Sequence, residues 1–312
     1  MEEQIQAFLD FLATEKKYSE NTIAAYRNDL TQFLGYLQGR FGRQQAAYER
    51  GATAETVSAE KGSLASLTWS DVEKDTIVSY ILELKEREYT SSTVARKVAA
   101  LKSFFHYLVA AGVVRSDPTV TLDSPKVKKR LPKAIPRRDI ERLLAAPANS
   151  DTPKARRDHA LLELLYASGM RVTELVSLDV SDIDLQAGTV RIHGKKTPSK
   201  ERVIGIGDTA TQAVASYLEH GRTQLVHSPN EKALFLNHRG QRLTRQGLWL
   251  IIKHYVEQVG IAQDVTPHTL RHSFAAHKLS QGKSLQDIQK LLGHANISTT
   301  QVYQQVSQES DL

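Results

Sequence analysis

The sequence predicts a mainly α protein: an N-terminal four-helix bundle, then a mostly helical domain that holds one small antiparallel β-sheet. Three observations carry this. Apolar residues recur at helical spacing through residues 1–115. Residues 116–134 interrupt that period with prolines and positive charge. Beyond them, helical periodicity returns and breaks once, at "DIDLQAGTVRIHGKKTPSKERVIGI", which alternates as strands do, with Gly188 in one turn and Gly194 opening the next.

A length of 312 residues exceeds one small core, so two domains are expected. The first helix carries Leu9, Phe11 and Leu12 on one face. Ser19 is placed to cap a second helix with Ile23, Tyr26, Leu30, Phe33, Leu34 and Leu37. Ser70 is expected to cap a third, with Val72, Ile77, Ile81 and Leu84. A fourth starts near Ser91, runs through Val94, Val98, Leu101, Phe104, Phe105 and Leu108, and stops at Gly112. Four such faces close into a bundle.

Residues 43–67 are polar and lack an apolar period, which reads as a flexible surface insertion or a loop for a partner. In "SPKVKKRLPKAIPRRD", Pro125, Pro132 and Pro136 bar a continuous helix. Lys126, Lys128, Lys129, Arg130 and Lys133 make this the most basic segment, suited either to a solvated linker or to a strap along a phosphate backbone. The second domain, 135–312, is expected to place helices at 137–147, 154–168, 171–178, 208–223, 244–259, 267–281, 284–292 and 296–303.

Composition narrows the chemistry. Lys and Arg total 41 against 35 Asp and Glu, a net charge of +6 that favours an anionic partner where it clusters. There is no cysteine, which removes disulfides, thiolate metal sites and cysteine nucleophiles and fits a reducing cytoplasm. The opening "MEEQIQAFLDFL" is acidic and amphipathic, unlike a secretory signal, and no run reaches the ~18 apolar residues of a membrane span, so membrane insertion is not expected.

The chemistry-bearing residues lie in the second half. Arg171 follows "YASGM" at a helix start, where its donors would meet an anion beside the positive helix end; a salt bridge to Glu174 or Asp158 is the alternative. Lys195 sits in a hairpin turn, where it is either solvated or placed to protonate a leaving oxygen, with Lys196 its rival. His268 and Arg271 share a helix face, with Pro267 in that helix's first turn. His272, four residues after His268, raises a zinc reading with His277 or His294. The cation at Arg271 and the lack of any carboxylate in "HTLRHSFAAH" oppose it. His294 follows Gly293 at a helix break, and Tyr303 lies one to two turns into the next helix; alone, each would be a packing residue.

Together these groups suit metal-free attack on a phosphodiester. Tyrosine, with a pKa near ~10, needs activation. Two arginines neutralise both non-bridging oxygens of a pentavalent phosphorane. His268 can take or hold the phenolic proton, His294 can bond a non-bridging oxygen, and Lys195 can protonate the 5′ oxygen. A tyrosyl phosphodiester conserves the energy of the broken bond, so no ATP, metal or other cofactor is expected, whereas a two-metal nuclease needs clustered carboxylates.

The order and spacing of "ASGMRVTEL", "GKKTPSKER", "HTLRHSFA", "LLGHANISTT" and Tyr303 resemble the tyrosine recombinases, or phage integrase family, and most of all its Xer type, which resolves chromosome dimers in bacteria and archaea. The resemblance implies Arg171, Lys195, His268, Arg271 and His294 as catalytic residues and Tyr303 as nucleophile. It extends to "YSENTIAAYRNDL" and "SSTVARKVAALKSFFHYL", which resemble the family's SAM-like core-binding domain. It thereby implies DNA contacts at Thr22, Tyr26, Arg27, Ser92, Arg96 and Lys97, beside Lys126, Lys128, Lys129 and Arg130 of the linker. The partner so implied is double-stranded DNA with an inverted-repeat core site. Four protomers, of one kind or two, would act on two sites, clamping DNA between their domains and passing through a Holliday junction; a DNA translocase is an activator the Xer likeness allows. Two departures stand out: the 43–67 insertion, and only nine residues after Tyr303 (304–312), where relatives often carry a longer helix that docks on the next protomer.

Three other functions share part of this pattern. A phage or mobile-element integrase uses the same chemistry, but often adds an arm-binding domain ahead of the first helix, which here starts almost at Met1. An accessory protein without catalysis fits the DNA-binding half alone. A type IB topoisomerase would relax DNA without site preference.

Overall fold

The computed structural model describes residues 1–49, 67–123, 134–194, 201–294 and 296–309. It divides into two compact units, Met1–Lys129 and Arg130–Leu312.

The N-terminal unit is built from α1 (Glu2–Thr14), α2 (Glu20–Glu49), α3 (Lys74–Glu86) and α4 (Ser91–Ala110). Ser19 caps α2 as its side chain predicts, its Oγ accepting from Thr22 N at 3.2 Å. Ser70 does not cap α3. Thr68 donates both its backbone N–H and its hydroxyl to the Asp71 carboxylate across a single 3₁₀ turn, Trp69–Asp71, and α3 begins only at Lys74. That turn inserts Trp69 into the core, 3% exposed, with its ring 4.8 Å from Phe104 and its Nε1 donating to Met1 O at 3.1 Å. The expected insertion also starts later than the sequence suggests: α2 continues through residues 43–49, whose "RQQAAYE" is made largely of good helix formers, while residues 50–66 lie outside the described residues. After α4 the chain stays on the bundle as far as Leu122, whose carbonyl accepts from Lys102 Nζ at 2.5 Å.

The C-terminal unit begins with α5 (Arg137–Ala145), α6 (Pro153–Ser168) and the single turn α7 (Val172–Leu175). A three-stranded antiparallel sheet follows in the order β1 (Ile183–Asp184), β2 (Thr189–Ile192), β3 (Arg202–Gly205). Its register pairs Val190 with Ile204, both buried against the helical core. Next, α8 (Gly207–Ser216) passes through a π turn, Tyr217–Arg222, into α9 (Thr223–Leu225). The remaining helices are α10 (Arg245–Val259), α11 (Pro267–Ser280), α12 (Leu285–Leu292) and α13 (Ser298–Glu309), the last running past the expected end at residue 303. Thr266 caps α11 with Pro267 in its first turn, and Ser284 caps α12, its Oγ accepting from Asp287 N at 3.1 Å. α11 packs on α6, α12 and α13, and so forms the spine of the site. Among the described residues no helix is long and apolar enough to cross a membrane.

Within the N-terminal bundle, α2 and α4 are tied by Asp29, which accepts from Lys97 Nζ at 2.8 Å and from Arg96. Lys97 and Asp29 side chains are 6% and 3% exposed. Removing one partner of such a buried pair leaves the other charge uncompensated. Asp29→Ala is therefore expected to destabilise the N-terminal unit by about 3–5 kcal/mol, read as a lower urea midpoint; a midpoint equal to wild type would show that the pair contributes nothing to the bundle.

Candidate active site

The site starts at a turn that only glycine makes cheaply. Gly169 ends α6 with φ +57°, and a Cβ there would stand 2.3 Å from Phe274 Cδ1 of α11. The close approach lets α11 pass directly beneath the "ASGMR" turn. Arg171 then starts α7. Its backbone N–H donates to Glu174 Oε2 at 2.7 Å, its Nη1 to Glu174 Oε1 at 3.1 Å and its Nη2 to Gly293 O at 3.2 Å. The salt bridge to Glu174 that the sequence offered as an alternative to anion binding is thus made. It leaves the Arg171 side chain 43% exposed, with further N–H groups free of these bonds. Asp158, the other candidate partner, pairs instead with Arg157.

Arg271 is 5% exposed. Its Nη1 donates to Gly169 O at 2.7 Å and its Nη2 to Leu292 O at 2.7 Å, so one guanidinium satisfies carbonyls left open at the ends of α6 and α12. Burial, with Arg171 nearby, lowers its pKa to about 10, so it stays charged at neutral pH.

A third arginine, which the sequence reading missed, completes the set. Arg202 of β3 makes a two-pronged pair with Glu174 (3.0 and 2.9 Å), and its Nε donates to Leu291 O at 3.0 Å. A Cβ on Gly293, itself at φ +63°, would lie 3.0 Å from Arg202 Nη1, so glycine at this helix end makes room for the guanidinium. Glu174 therefore bridges Arg171 and Arg202. Burial works against its charge, but the hydrogen bonds from Arg202 and from the Arg171 backbone outweigh it and hold the carboxyl below its ordinary pKa. An arginine just past a basic hairpin carries no periodic signal, and its partner lies 28 positions away in the chain.

His294 joins Arg271 to α13. Its Nε2 lies 3.0 Å from Arg271 Nη2, which can only donate, so Nε2 accepts and the ring proton sits on Nδ1, donating to Thr300 Oγ1 at 2.9 Å. The Tyr303 ring stacks on His294 at 6.4 Å, and the tyrosine is 2% exposed. Its hydroxyl lies 2.7 Å from Nδ1 of His272. Sequence reasoning offered His268 for that place; α13 instead crosses α11 one turn further along, opposite His272. His268 is exposed and makes no hydrogen bond to another described residue. His277, also weighed as a metal ligand, has its Nδ1 2.7 Å from Tyr166 Oη. Burial raises the Tyr303 pKa, while Arg271 and Arg171 pull it back. Burial first, then neighbouring cations, pushes His272 and His294 down to about 4, so both are neutral near pH 7.

Lys195 lies outside the described residues, as do Lys126, Lys128, Lys129 and Arg130. On the bundle, Ser92, Arg27 and Arg96 are exposed and Thr22 and Tyr26 half-buried; Arg27 bonds Gln6 at 2.9 Å and Thr22 bonds Ser19 at 2.8 Å. Lys97 differs from its expected place as a DNA contact: its ammonium is buried against Asp29 and Gln32, because helical spacing turns it inward one residue after Arg96.

Comparison with known proteins gives a consistent result. Residues 133–310 match the phage integrase family, and residues 5–61 and 56–112 its N-terminal SAM-like domain. The chain is 47% identical over 312 residues to tyrosine recombinase XerC of Roseiflexus castenholzii, covering 99% of this chain and 91% of that protein. To tyrosine recombinase XerD of Halalkalibacterium halodurans it is 41% identical over 303 residues, covering 97% and 93%. Among solved structures, XerA recombinase aligns with 25% identity and a TM-score of 0.51 over 99% of this chain and 94% of that one. A lambda integrase dimer bound to a COC′ core site aligns with 14% identity and a TM-score of 0.71 over 100% and 97%, a likeness of fold.

The two depressed histidines set a pH dependence. The unfolded chain binds their protons near the ordinary value of 6.5 and the folded chain only near 4. Their contribution to stability is complete above about 6.5 and is lost as pH falls towards 4. Urea midpoints should fall between pH 7 and 4.5, and more gently in His272→Asn than in wild type; equal slopes would contradict a neutral, half-buried His272.

Proposed function

The chain belongs to the phage integrase family as a tyrosine recombinase of the Xer type, and from that premise we propose that it cleaves and rejoins duplex DNA at a specific inverted-repeat core site through a 3′-phosphotyrosine at Tyr303. The observation that carries this reading is the charge around the phenol. Three guanidiniums, of Arg171, Arg202 and Arg271, converge on the end of α12, with Glu174 the one carboxylate that pairs with them among the described residues, and two of them, Arg271 and Arg171, act on the Tyr303 phenol. Among the described residues this leaves a surplus of positive charge, which suits a phosphodiester.

In this reading Arg171 and Arg271 bind the non-bridging oxygens and stabilise the charge that builds on them in the phosphorane. His294 bonds a non-bridging oxygen beside them. The phenolic oxygen of Tyr303 attacks phosphorus, the bond to the 5′ oxygen breaks, and Lys195 gives that oxygen its proton. His268, exposed at the start of α11 three residues before Arg271, is open to an incoming substrate. Religation runs the steps backward, with no ATP or metal required. The N-terminal unit holds the DNA through Thr22, Tyr26, Arg27, Ser92 and Arg96, and Lys126, Lys128, Lys129 and Arg130 lie along the phosphate backbone. Four protomers on two sites exchange strands through a Holliday junction and resolve chromosome dimers on the bacterial nucleoid in the cytoplasm, with a DNA translocase as activator.

Two experiments test this. Wild type and Tyr303→Phe are each mixed with sheared genomic DNA and denatured in detergent, and the DNA retained on protein is sequenced. Retention by wild type alone, at one locus near the replication terminus, is expected; covalent DNA on Tyr303→Phe would refute the nucleophile. On that recovered site, Arg202→Ala should slow cleavage by up to about 10²-fold through misplacement of Arg171, with DNA affinity retained. A methylphosphonate at the scissile position, which lacks one negative oxygen, should restore part of the rate to both Arg171→Ala and Arg202→Ala. Restoration for Arg171→Ala alone would show that Arg202 does not act through Arg171.

A further inference from the structure

The phenol of Tyr303 has one hydrogen-bond partner among the described residues, Nδ1 of His272 at 2.7 Å. At 2% exposure the tyrosine is shut off from bulk water. A phenol has one hydrogen to place, and an imidazole nitrogen either donates or accepts. If Nδ1 carried the hydrogen, it would donate to the phenolic oxygen and strand the phenol's own hydrogen in a buried site. The arrangement that satisfies both groups has Tyr303 donating to an unprotonated Nδ1, with the ring proton of His272 on Nε2.

We propose that His272 is a catalytic residue that accepts the phenolic proton of Tyr303 during attack and returns it when the tyrosine departs. The assignment rests on the reading of Tyr303 as nucleophile. In cleavage the O–H bond of Tyr303 breaks as a bond forms from its oxygen to phosphorus, and the proton moves to Nδ1, making an imidazolium. The bond from phosphorus to the 5′ oxygen breaks, and that oxygen takes the proton of Lys195. In religation the 5′ hydroxyl gives its proton back to Lys195 and attacks phosphorus, and the departing phenolate recovers its proton from His272.

The surroundings suit a base of this kind. His268 and Arg271 face the ring from its own helix, Tyr303 from α13, and His294 from the loop after α12. Burial and these neighbours keep the imidazole neutral before reaction, so its lone pair is available at neutral pH. The phosphodiester then brings negative charge to the site as the imidazolium forms. His272 is thus strengthened as a base at the moment the substrate arrives. The ring is also locked in position, since it belongs to the helix whose Arg271 grips the ends of α6 and α12. His268, one turn earlier and exposed, has no such bond to the phenol among the described residues.

The tautomer is testable without DNA. Long-range nitrogen–proton NMR on the full-length protein should show the Nδ1 of His272 unprotonated and Nε2 protonated; a proton on Nδ1 would overturn the proposal. Cleavage is then followed on a nicked duplex carrying the site recovered by the covalent trap. His272→Asn keeps an acceptor oxygen for the phenol but cannot take its proton, so it separates holding from proton transfer. The variant should bind DNA as wild type does, cleave about 10²–10⁴-fold more slowly at pH 7, and recover about tenfold per pH unit as hydroxide replaces the missing base. A fluorinated tyrosine at 303, with a more acidic phenol, should restore much of its rate. A wild-type rate and pH profile in His272→Asn would reduce the bond to packing, and faster cleavage than wild type would make it a restraint; either result overturns the proposal. The same assay on Tyr303→Phe distinguishes this from failure of the underlying reading: covalent DNA there would remove the nucleophile itself.

Discussion

The site depends on one helix end. Three successive carbonyls at the C-terminus of α12, those of Leu291, Leu292 and Gly293, each accept from a different arginine: Arg202, Arg271 and Arg171 in turn. The last carbonyls of a helix have no partner within it and carry partial negative charge. Each guanidinium therefore meets an acceptor that is open and electrostatically favourable. Together they bring β3, α11 and the start of α7 to a single point, although these elements are widely separated in the chain. Mutual repulsion among three cations would drive them apart in water. The helix end and Glu174 offset it, but incompletely, and the described part of the site keeps a surplus of positive charge.

The same construction explains the two glycines of the site. Gly169 lets Phe274 approach the end of α6, and Gly293 lets Arg202 reach the end of α12; both also adopt positive φ. Side chains at these positions would separate the helix ends that the arginines join. Packing geometry and electrostatics are thus parts of one arrangement: the close approach creates the carbonyl cluster, and the cluster fixes the cations.

Positive charge also settles the state of the neighbouring imidazoles. A charged histidine beside Arg271 would be desolvated and repelled at once, so His272 and His294 remain neutral, and their hydrogen-bond directions follow. His294 accepts from Arg271 and donates to Thr300, while His272 meets Tyr303. The phenol is held by a neutral group within an otherwise cationic site. In the N-terminal bundle the opposite case applies: Asp29 neutralises Lys97 in the core and leaves Arg96 at the surface, so two adjacent cations have different environments.

Much of this was legible in the sequence. The helical periods of α1, α2 and α4 located the bundle core, the alternation around Val190 and Ile204 located the sheet, and motif spacing picked out Arg171, Arg271, His294 and Tyr303, which the fold gathers around the end of α12, because periodicity and motif spacing are properties of neighbouring residues. The extent of α2 past residue 43 was misread because polar helix formers such as "RQQAAYE" give no apolar period. The contacts of Arg202 and His272 depended on the tertiary structure. Arg202 finds Glu174 and Leu291 across 28 and 89 positions, and the meeting of Tyr303 with His272 instead of His268 turns on where α13 crosses α11, a displacement of a single helical turn. Sequence alone determined which groups are present and on which faces they lie; only the packing of helix ends decided which of them meet, because those encounters are set by long-range burial and by carbonyls that no residue code records.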